Sequence, residues 1–189
     1  NINALGIYNG LLVAAGEFTT AGGVDADKVA VWNGSFWSRL DFSLINGNVN
    51  AVAAFGTDLL IGGTFNNVGS ITVNKVARWN NGWFSMGSGF DNTVYALAFF
   101  NSQLYAGGSF TVSGISSVKR IARWDGMRWV SLGAGIDDGA VYVLRIYGST
   151  LAVGGSFTYI GGSSVNRIAR WNGSSWGIIG SGFNNDVNA

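Results

Sequence analysis

The carboxylate side chains are the residues of this sequence with the greatest potential for chemistry. Asp25 and Asp27 are separated by a single alanine, and Asp137 and Asp138 are adjacent. Loop carboxylates of this kind can bind Ca²⁺, but neither pair has the number of neighbouring oxygen ligands that a calcium-binding loop needs. We therefore predict no metal site. Asp25 and Asp27 are kept as candidate binding residues, with ordinary solvated turn residues as the alternative.

Histidine and cysteine are both absent from the 189 residues. Without histidine, the chain lacks the usual general base, the Ser-His-Asp constellation and the commonest ligand of zinc and copper. Without cysteine, it has neither a thiol nucleophile nor a disulfide framework. Glycoside hydrolysis needs two positioned carboxylates, and the spacing of the ten acidic residues nominates no pair. The sequence therefore predicts a protein that is not an enzyme and has no catalytic residues and no cofactor.

The overall composition argues against nucleic-acid binding and against membrane insertion. Eleven Lys and Arg residues against ten Asp and Glu residues give a formal net charge of +1, which supplies no basic surface for a polyanion. No apolar run approaches the roughly 18 residues of a membrane-spanning helix. Charged residues make up only 11% of the chain, and Gly, Asn, Ser and Thr are abundant, as in many secreted proteins. We therefore expect an extracellular or cell-surface location.

A repeat of 45 to 47 residues runs through the whole chain. Two tryptophan series keep this spacing, one at Trp32, Trp79, Trp124 and Trp171 and the other at Trp37, Trp83, Trp129 and Trp176. The phrase RIARWNGSSW at 167–176 is one of four versions of the same stretch. The repeats span residues 2–48, 49–93, 94–140 and 141–186, and residues 187–189 look like the start of another. We therefore expect residues 1–189 to form a single β-propeller domain or segment that is part of a longer array, with a closed four-bladed ring as the alternative.

Each repeat has the pattern of four short β-strands. Alternating large and small residues, as at 95–99, indicate the first strand, and an apolar run such as 104–106 indicates the second. The RIARW phrase predicts the third strand, and the Asn-Gly or Asp-Gly after it predicts a tight hairpin turn into the fourth. A four-stranded sheet cannot cover both of its apolar faces alone, so the repeats must stack. The predicted fold is all-β, a β-propeller of four-stranded antiparallel blades, with a β-solenoid as the alternative.

A family resemblance rests on the Gly pair that ends the second strand and on the aromatic residues that follow it. In the fourth repeat the motif reads GGSFT at 154–158 and NRIARWNGSSW at 166–176. It resembles the kelch and galactose-oxidase type of β-propeller repeat, and is similar to arrays in bacterial surface proteins and fungal cell-surface cortical-marker proteins. The resemblance implies a propeller fold. It does not bring copper chemistry with it, because the His and Cys ligands of galactose oxidase are missing here.

Two charged residues break the internal pattern of the repeats. Arg145 stands on the small-residue side of a first strand, where the other repeats have Gly6, Ala53 and Ala98. Glu17 stands where the other repeats have Thr64, Ser109 and Ser156. Arg145 and Glu17 are candidate binding residues, because as a polar pair lining a central tunnel they could bind an anion or a sugar. The alternative is drift in a repeat whose charges simply reach solvent.

These observations favour a non-catalytic extracellular or cell-surface scaffold that binds another protein or further copies of itself. A carbohydrate-binding module with a glycan ligand is the first alternative, and an accessory domain of a larger secreted enzyme is the second. We expect any ligand at the edge that carries the longer loops between second and third strands, at residues 19–27, 66–72, 111–117 and 158–164.

Overall fold

The structure, a computed structural model, describes all 189 residues, Asn1–Ala189, as 24 β-strands without a helix. None of its elements is therefore a helix with the length and hydropathy to cross a membrane. The chain divides into two compact units, Asn1–Gly89 and Phe90–Ala189, each with two four-stranded antiparallel sheets that we call blades. The predicted all-β fold of four-stranded antiparallel blades is confirmed.

The first unit contains blades 1 and 2, in which the sheet order follows the order along the chain. Blade 1 consists of β1 (Ile2–Tyr8), β2 (Leu11–Gly16), β5 (Val29–Trp32) and β6 (Trp37–Arg39). Blade 2 consists of β7 (Val49–Phe55), β8 (Asp58–Gly63), β11 (Val76–Trp79) and β12 (Trp83–Ser85). In each blade, the second and third strands are the interior strands of the sheet.

The second unit contains blades 3 and 4, with the same order of strands. Blade 3 consists of β13 (Val94–Phe100), β14 (Gln103–Gly108), β17 (Ile121–Trp124) and β18 (Trp129–Ser131). Blade 4 consists of β19 (Val141–Tyr147), β20 (Thr150–Gly155), β23 (Ile168–Trp171) and β24 (Trp176–Ile178). All four blades therefore repeat one arrangement.

A short two-stranded hairpin lies between the second and third strands of every blade, and we call these elements the inserted hairpins. They comprise β3 (Thr20–Ala21) with β4 (Val24–Asp25), β9 (Asn67–Val68) with β10 (Ile71–Thr72), β15 (Val112–Ser113) with β16 (Ser116–Ser117), and β21 (Tyr159–Ile160) with β22 (Ser163–Ser164). The sequence predicts only longer polar loops at these places. The signal for a hairpin is the glycine in each turn, such as Gly114 with φ +59°, because tight hairpin turns need positive φ.

The Gly pair at the end of each second strand is explained by a close backbone contact. In blade 4, a Cβ on Gly155 would lie 2.0 Å from the carbonyl oxygen of Ala140. That oxygen accepts a hydrogen bond from the Ser156 amide at 3.0 Å. The same contact recurs, at 2.0 to 2.1 Å, for Gly16, Gly63 and Gly108. The segment that enters each first strand therefore runs directly against the end of the second strand, where only glycine leaves room.

Two consecutive non-glycine residues with positive φ precede the third strand of every blade. In blade 4 they are Asn166 and Arg167, with φ of 48° and 73°. The Arg167 amide donates to the Phe157 carbonyl at 2.8 Å, and the Arg167 carbonyl accepts from the Gly155 amide at 3.0 Å. These hydrogen bonds offset the cost of the left-handed conformation. The equivalent pairs are Asp27 with Lys28, Asn74 with Lys75, and Lys119 with Arg120.

The core of each unit is built from residues of both of its blades. In the first unit it includes Val13, Val49, Ile61, Phe65 and Trp83. In the second unit it includes Phe100, Tyr105, Leu144, Phe157 and Trp171. Because each set joins two sheets, a blade buries its apolar surface against its neighbour as well as within its own sheet.

The two tryptophans of each repeat face each other across the hairpin between the third and fourth strands. Their ring centroids are 5.1 to 5.5 Å apart in the four blades, a separation at which aromatic pairs attract each other. All eight tryptophans are buried or half-buried. The indole N–H of Trp176 also donates to the Leu132 carbonyl of blade 3 at 3.1 Å. Packing thus accounts for the two tryptophan series.

Candidate functional site

The inserted hairpins carry apolar side chains that are exposed to solvent. Ile115, in the turn of the blade 3 hairpin, is fully exposed, and Tyr159 in the blade 4 hairpin is also exposed. Val24 and Ile71, which begin the second strands of the hairpins in blades 1 and 2, are exposed as well. Ordered loops on a rigid scaffold are common places for binding residues. Each inserted hairpin is therefore a first candidate for a binding surface.

A carboxylate anchors the inserted hairpin of blade 3. Asp91 lies in the segment that leads into the first strand of this blade. Its Oδ1 accepts from the amides of Thr111 and Val112 at 2.8 and 2.9 Å, and its Oδ2 accepts from the Thr111 hydroxyl at 2.8 Å. One side chain thus satisfies three donors at the start of the hairpin. The hairpin is held against the blade rather than left as a free loop.

The same anchor recurs in the two other blades that have an entering segment of this kind. In blade 4, Asp138 Oδ1 accepts from the amides of Thr158 and Tyr159 at 2.8 and 3.0 Å. In blade 2, the acceptor is the amide oxygen of Asn46, which accepts from the amides of residues 66 and 67, both at 2.8 Å. A charged and a neutral acceptor therefore serve the same structural purpose.

The hydrogen bonds also change the acidity of the two anchoring aspartates. Burial raises the pKa of Asp91, but the hydrogen bonds from Val112 and Thr111 outweigh it, so the pKa lies below its ordinary value. Burial likewise raises the pKa of Asp138, but the hydrogen bonds from Thr158 and Tyr159 outweigh the effect of burial. The pKa of Asp138 therefore also lies below its ordinary value. Both carboxyl groups therefore stay ionised to a lower pH than an ordinary aspartate does.

We expect acid to destabilise the protein through Asp91 and Asp138. A carboxyl group whose pKa is lower in the folded state adds stability above its unfolded pKa, and this contribution is lost as the pH falls through the folded pKa. The free energy of unfolding, measured by urea denaturation at a series of acidic pH values, should therefore decrease across that window.

The matched control is the double variant Asp91→Asn with Asp138→Asn. It keeps an amide oxygen as the acceptor, as Asn46 does in blade 2, but has no carboxyl groups to titrate at these positions. Its free energy of unfolding should depend less steeply on pH than that of the wild type. Equal slopes for the two proteins would show that these carboxyl groups do not carry the acid dependence.

Arg120 holds the segment that connects blades 3 and 4. Its Nε donates to the Gly139 carbonyl at 2.7 Å, and its Nη1 donates to the Ile136 and Asp137 carbonyls at 2.9 and 3.2 Å. At the same repeat position of blade 4, Arg167 has an ion pair, Nε to Asp186 Oδ1 at 3.3 Å, without the alignment of a hydrogen bond. The Arg167 guanidinium therefore has fewer acceptors than its counterpart.

A cavity of about 400 Å³ lies beside Arg167 in blade 4. Its lining includes Thr158, Asn166, Phe183 and Asn184, and Phe183 is exposed. The volume falls within the range of small-molecule sites, and its lining combines an aromatic ring with polar side chains and a cation. This cavity is the second candidate site, and it adjoins one of the loops named from the sequence, at 158–164.

Asp27, one of the candidate binding residues, is part of the framework of blade 1. Its Oδ2 accepts from the Ile45 amide at 2.6 Å, and its Oδ1 lies 3.6 Å from Lys28 Nζ. Asp25 lies in β4, where it pairs with Thr20 and is exposed. No group of three or more acidic residues is placed to hold a metal ion.

Glu17 and Arg145 lie in different units, and each has a hydrogen-bond partner in its own unit. Glu17 Oε2 accepts from the side-chain amide of Asn1 at 2.8 Å. Arg145 Nη1 donates to the Leu144 carbonyl at 3.4 Å. Both charged side chains are exposed. Their pairing in a central tunnel stays a prediction.

Comparison with known proteins supports the fold. A family model described as a domain of unknown function (DUF5122) beta-propeller matches residues 150–174, which hold β20, the inserted hairpin and β23 of blade 4. Comparison with curated proteins gives no match. Among solved structures, the chain is similar to the computationally designed Ika8 protein, with a TM-score of 0.62 and 16% identity. The match covers 99% of this chain and 51% of Ika8, so the chain spans about half the length of that protein.

Proposed function

We propose that this chain is a non-catalytic interaction scaffold whose inserted hairpins bind another protein. The observation that carries the proposal is the repeated presentation of exposed apolar side chains, such as Ile115 and Tyr159, on short hairpins. Three of these hairpins are anchored by a side-chain acceptor. Anchoring lowers the conformational entropy that a loop loses on binding, so an ordered hairpin binds at a lower cost than a free one.

The non-catalytic part of the proposal draws on residue types and on how the acidic residues are used. The chain has no histidine or cysteine. The carboxylates of three aspartates accept hydrogen bonds from backbone amides, namely Asp27, Asp91 and Asp138. This structural role explains their positions without a catalytic role. The low charge content supports an extracellular or cell-surface location, and the GGSFT and RIARW motifs support a kelch-like repeat.

A photo-crosslinking amino acid at position 115 tests the interaction role. The labelled chain is irradiated with an extract of the cells that produce the protein, and adducts are identified by mass spectrometry. We expect a distinct protein adduct at position 115, because Ile115 is the fully exposed residue at the tip of the blade 3 hairpin.

The matched control places the same label at Met127, which is also strongly exposed but lies in the turn between β17 and β18. The adduct seen from position 115 should be absent or much weaker from position 127. The same adducts in equal yield from both positions would show non-specific capture and contradict a role for the inserted hairpins.

Carbohydrate binding is a second candidate function, and the cavity beside Arg167 favours it. An exposed phenylalanine ring with amide and guanidinium groups around it provides a stacking surface and hydrogen-bond donors for a sugar. A glycan array probed with the wild type and with Phe183→Ala tests this candidate. Binding that is competed by free sugar and lost in the variant would support it, whereas the absence of competable binding would contradict it.

A further inference from the structure

In the second unit, the tryptophan that begins the fourth strand of blade 4 is hydrogen-bonded to blade 3. Trp176 Nε1 donates to the Leu132 carbonyl at 3.1 Å. Gly133, the next residue, lies against the indole ring, since a Cβ at this position would be 3.6 Å from both Trp176 Cδ1 and Trp176 Nε1. A backbone carbonyl of one blade therefore satisfies the polar atom of a tryptophan in the next.

The equivalent tryptophan of blade 2, in the first unit, lacks this hydrogen bond. Trp83 holds the repeat position of Trp176, and Leu40 holds that of Leu132. Trp83 is only 6% exposed, and its Nε1 is buried without a hydrogen-bond partner in the protein. Buried polar groups in folded proteins are nearly always hydrogen-bonded. Because an indole N–H can donate but not accept, the missing partner must be an acceptor.

A small cavity lies beside Trp83, where blade 2 meets blade 1. Its volume is about 10 Å³, which is close to the smallest space that holds one water molecule. Besides Trp83, its lining includes Leu40, Asp41 and Ser43, which follow the fourth strand of blade 1, and Asp27 of the same blade. All of these residues belong to the first unit. The unpartnered donor and the space for an acceptor therefore occur at the same place.

The segment that connects blades 1 and 2 explains why the direct hydrogen bond is missing. Residues 41–44 read DFSL, whereas the corresponding stretch after blade 3, residues 133–135, has only the three residues GAG. Gly133 has a φ of +53°, but Asp41, which begins the longer segment, does not have a positive φ. The φ angle sets the orientation of the preceding peptide group relative to the chain that follows. The carbonyl before Asp41 is therefore oriented differently from the carbonyl before Gly133.

We propose that the cavity is a binding site for one water molecule, which accepts a hydrogen bond from Trp83 Nε1 and joins blade 2 to the connecting segment. Buried waters typically make two to four hydrogen bonds. The water can donate to the Asp41 carboxylate, whose Oδ2 accepts from the Ser43 hydroxyl at 2.7 Å while its Oδ1 remains available. The water thus replaces the direct bond seen in blade 4. This site is independent of the interaction role proposed above.

The chemistry of the lining favours water over a metal ion. The indole N–H of Trp83 presents a partial positive charge to the cavity, whereas a metal cation needs several oxygen ligands. The second carboxylate is engaged elsewhere, because Asp27 Oδ2 accepts from the Ile45 amide at 2.6 Å and Asp27 Oδ1 lies 3.6 Å from Lys28 Nζ. A small neutral group that both accepts and donates hydrogen bonds fits this lining, and water is such a group.

The first test is an NMR measurement of water contacts on the whole chain with isotope-labelled tryptophan. The variants Trp83→Phe and Trp176→Phe assign the two indole signals. We expect a nuclear Overhauser effect between bound water and the Trp83 indole proton. The effect should be absent or much weaker for the control, Trp176, whose N–H donates to a protein carbonyl. No effect at Trp83 would overturn the proposal.

The Ser43 hydroxyl needs a control of its own, because its proton exchanges with solvent and Ser43 lines the cavity. The effect at Trp83 should persist in Ser43→Ala, and its loss there would show that the hydroxyl, not a bound water, causes the signal. A crystal structure that shows ordered waters should place a water oxygen about 2.7–3.2 Å from Trp83 Nε1. A direct bond to the Leu40 carbonyl, a metal ion or an empty cavity would overturn the proposal.

A variant in which Gly-Ala-Gly replaces residues 41–44 tests the cause assigned to the connecting segment. With the shorter segment of blade 3, the Leu40 carbonyl should accept directly from Trp83 Nε1, as the Leu132 carbonyl does from Trp176. The water contact of the Trp83 indole proton should then disappear. Its persistence in the folded variant would overturn the role of the segment. If the variant does not fold, the measurements on the wild type and on Ser43→Ala still decide whether the water is bound.

Discussion

Replacing Gly155 with alanine is expected to lower the free energy of unfolding by about 3 kcal/mol or more. The added Cβ would lie 2.0 Å from the Ala140 carbonyl oxygen. It would also lie 3.0 Å from the Ala140 carbonyl carbon and 3.1 Å from Val141 Cα, closer than van der Waals contact allows. Backbone atoms cannot rotate away as a side chain can, so the entry of the chain into β19 must shift. Urea denaturation of the purified variant measures the effect.

Gly82→Ala is the matched control for this prediction. The nearest atom to a Cβ at this position is Phe84 Cε2 at 3.9 Å, an ordinary van der Waals distance. We expect the free energy of unfolding to change by less than about 0.5 kcal/mol. If Gly155→Ala were as stable as Gly82→Ala, the backbone contact assigned to the Gly pair would be wrong.

Replacing Leu144 with alanine is expected to cost about 2–5 kcal/mol of unfolding free energy. Leu144 is almost completely buried in the core that blades 3 and 4 share. The loss combines apolar surface removed from the core with a cavity that the two sheets cannot close without moving. Urea denaturation again gives the change.

The repeat itself provides the control, because Leu5 holds the position of Leu144 in blade 1 and is exposed. Leu5→Ala should change the free energy of unfolding by less than about 0.5 kcal/mol. Equal losses for the two variants would mean that burial between blades does not distinguish these positions. The account of blade packing would then need revision.

The architecture of the blades could be predicted because it depends on contacts between residues that are close along the chain. Alternating residues, Asn-Gly turns and a fixed tryptophan spacing each report on neighbours that are close along the chain. The paired tryptophans illustrate this, since Trp32 and Trp37 face each other across a single hairpin. A repeated pattern also reinforces itself, because four weak signals at one spacing make one strong signal.

The anchoring of the inserted hairpins could not be predicted, because it joins residues about 20 positions apart. Asp91 accepts hydrogen bonds from the amides of Thr111 and Val112, which lie far from it along the chain. Blade 2 uses Asn46 and blade 4 uses Asp138 for the same purpose, so the residue type varies between repeats. A comparison of the entering segments with one another would have found an acceptor in each, although not its target.

Asp27 shows how a break in the pattern can have a structural cause. The entering segments of blades 3 and 4 follow a Gly-x-Gly motif, as at 87–89 and 133–135, whereas residues 41–44 before blade 2 read DFSL. In blade 1, the Asp27 carboxylate accepts the Ile45 amide. Ile136 holds the repeat position of Ile45 at the end of blade 3, and its amide donates a hydrogen bond to the Lys119 carbonyl instead. A side chain thus replaces a backbone acceptor where the glycines are missing.

The structure changes where the search for function should concentrate. Of the acidic residues that stood out in the sequence, Asp27 and Asp138 accept hydrogen bonds from backbone amides, whereas Asp25 is exposed. Large apolar side chains are exposed on the inserted hairpins, as at Ile115 and Tyr159, and also elsewhere on the blades, as at Phe84 and Met127.

Hydrogen exchange measured by mass spectrometry on the whole chain tests the central claim most directly, namely that each repeat folds as a blade with its second strand inside the sheet. The amides of β2, β8, β14 and β20 are flanked by hydrogen-bonded strands on both sides. We predict that peptides from these four strands exchange most slowly, in all four repeats. Exchange in any of them as fast as in the turns that follow the first strands would contradict the account.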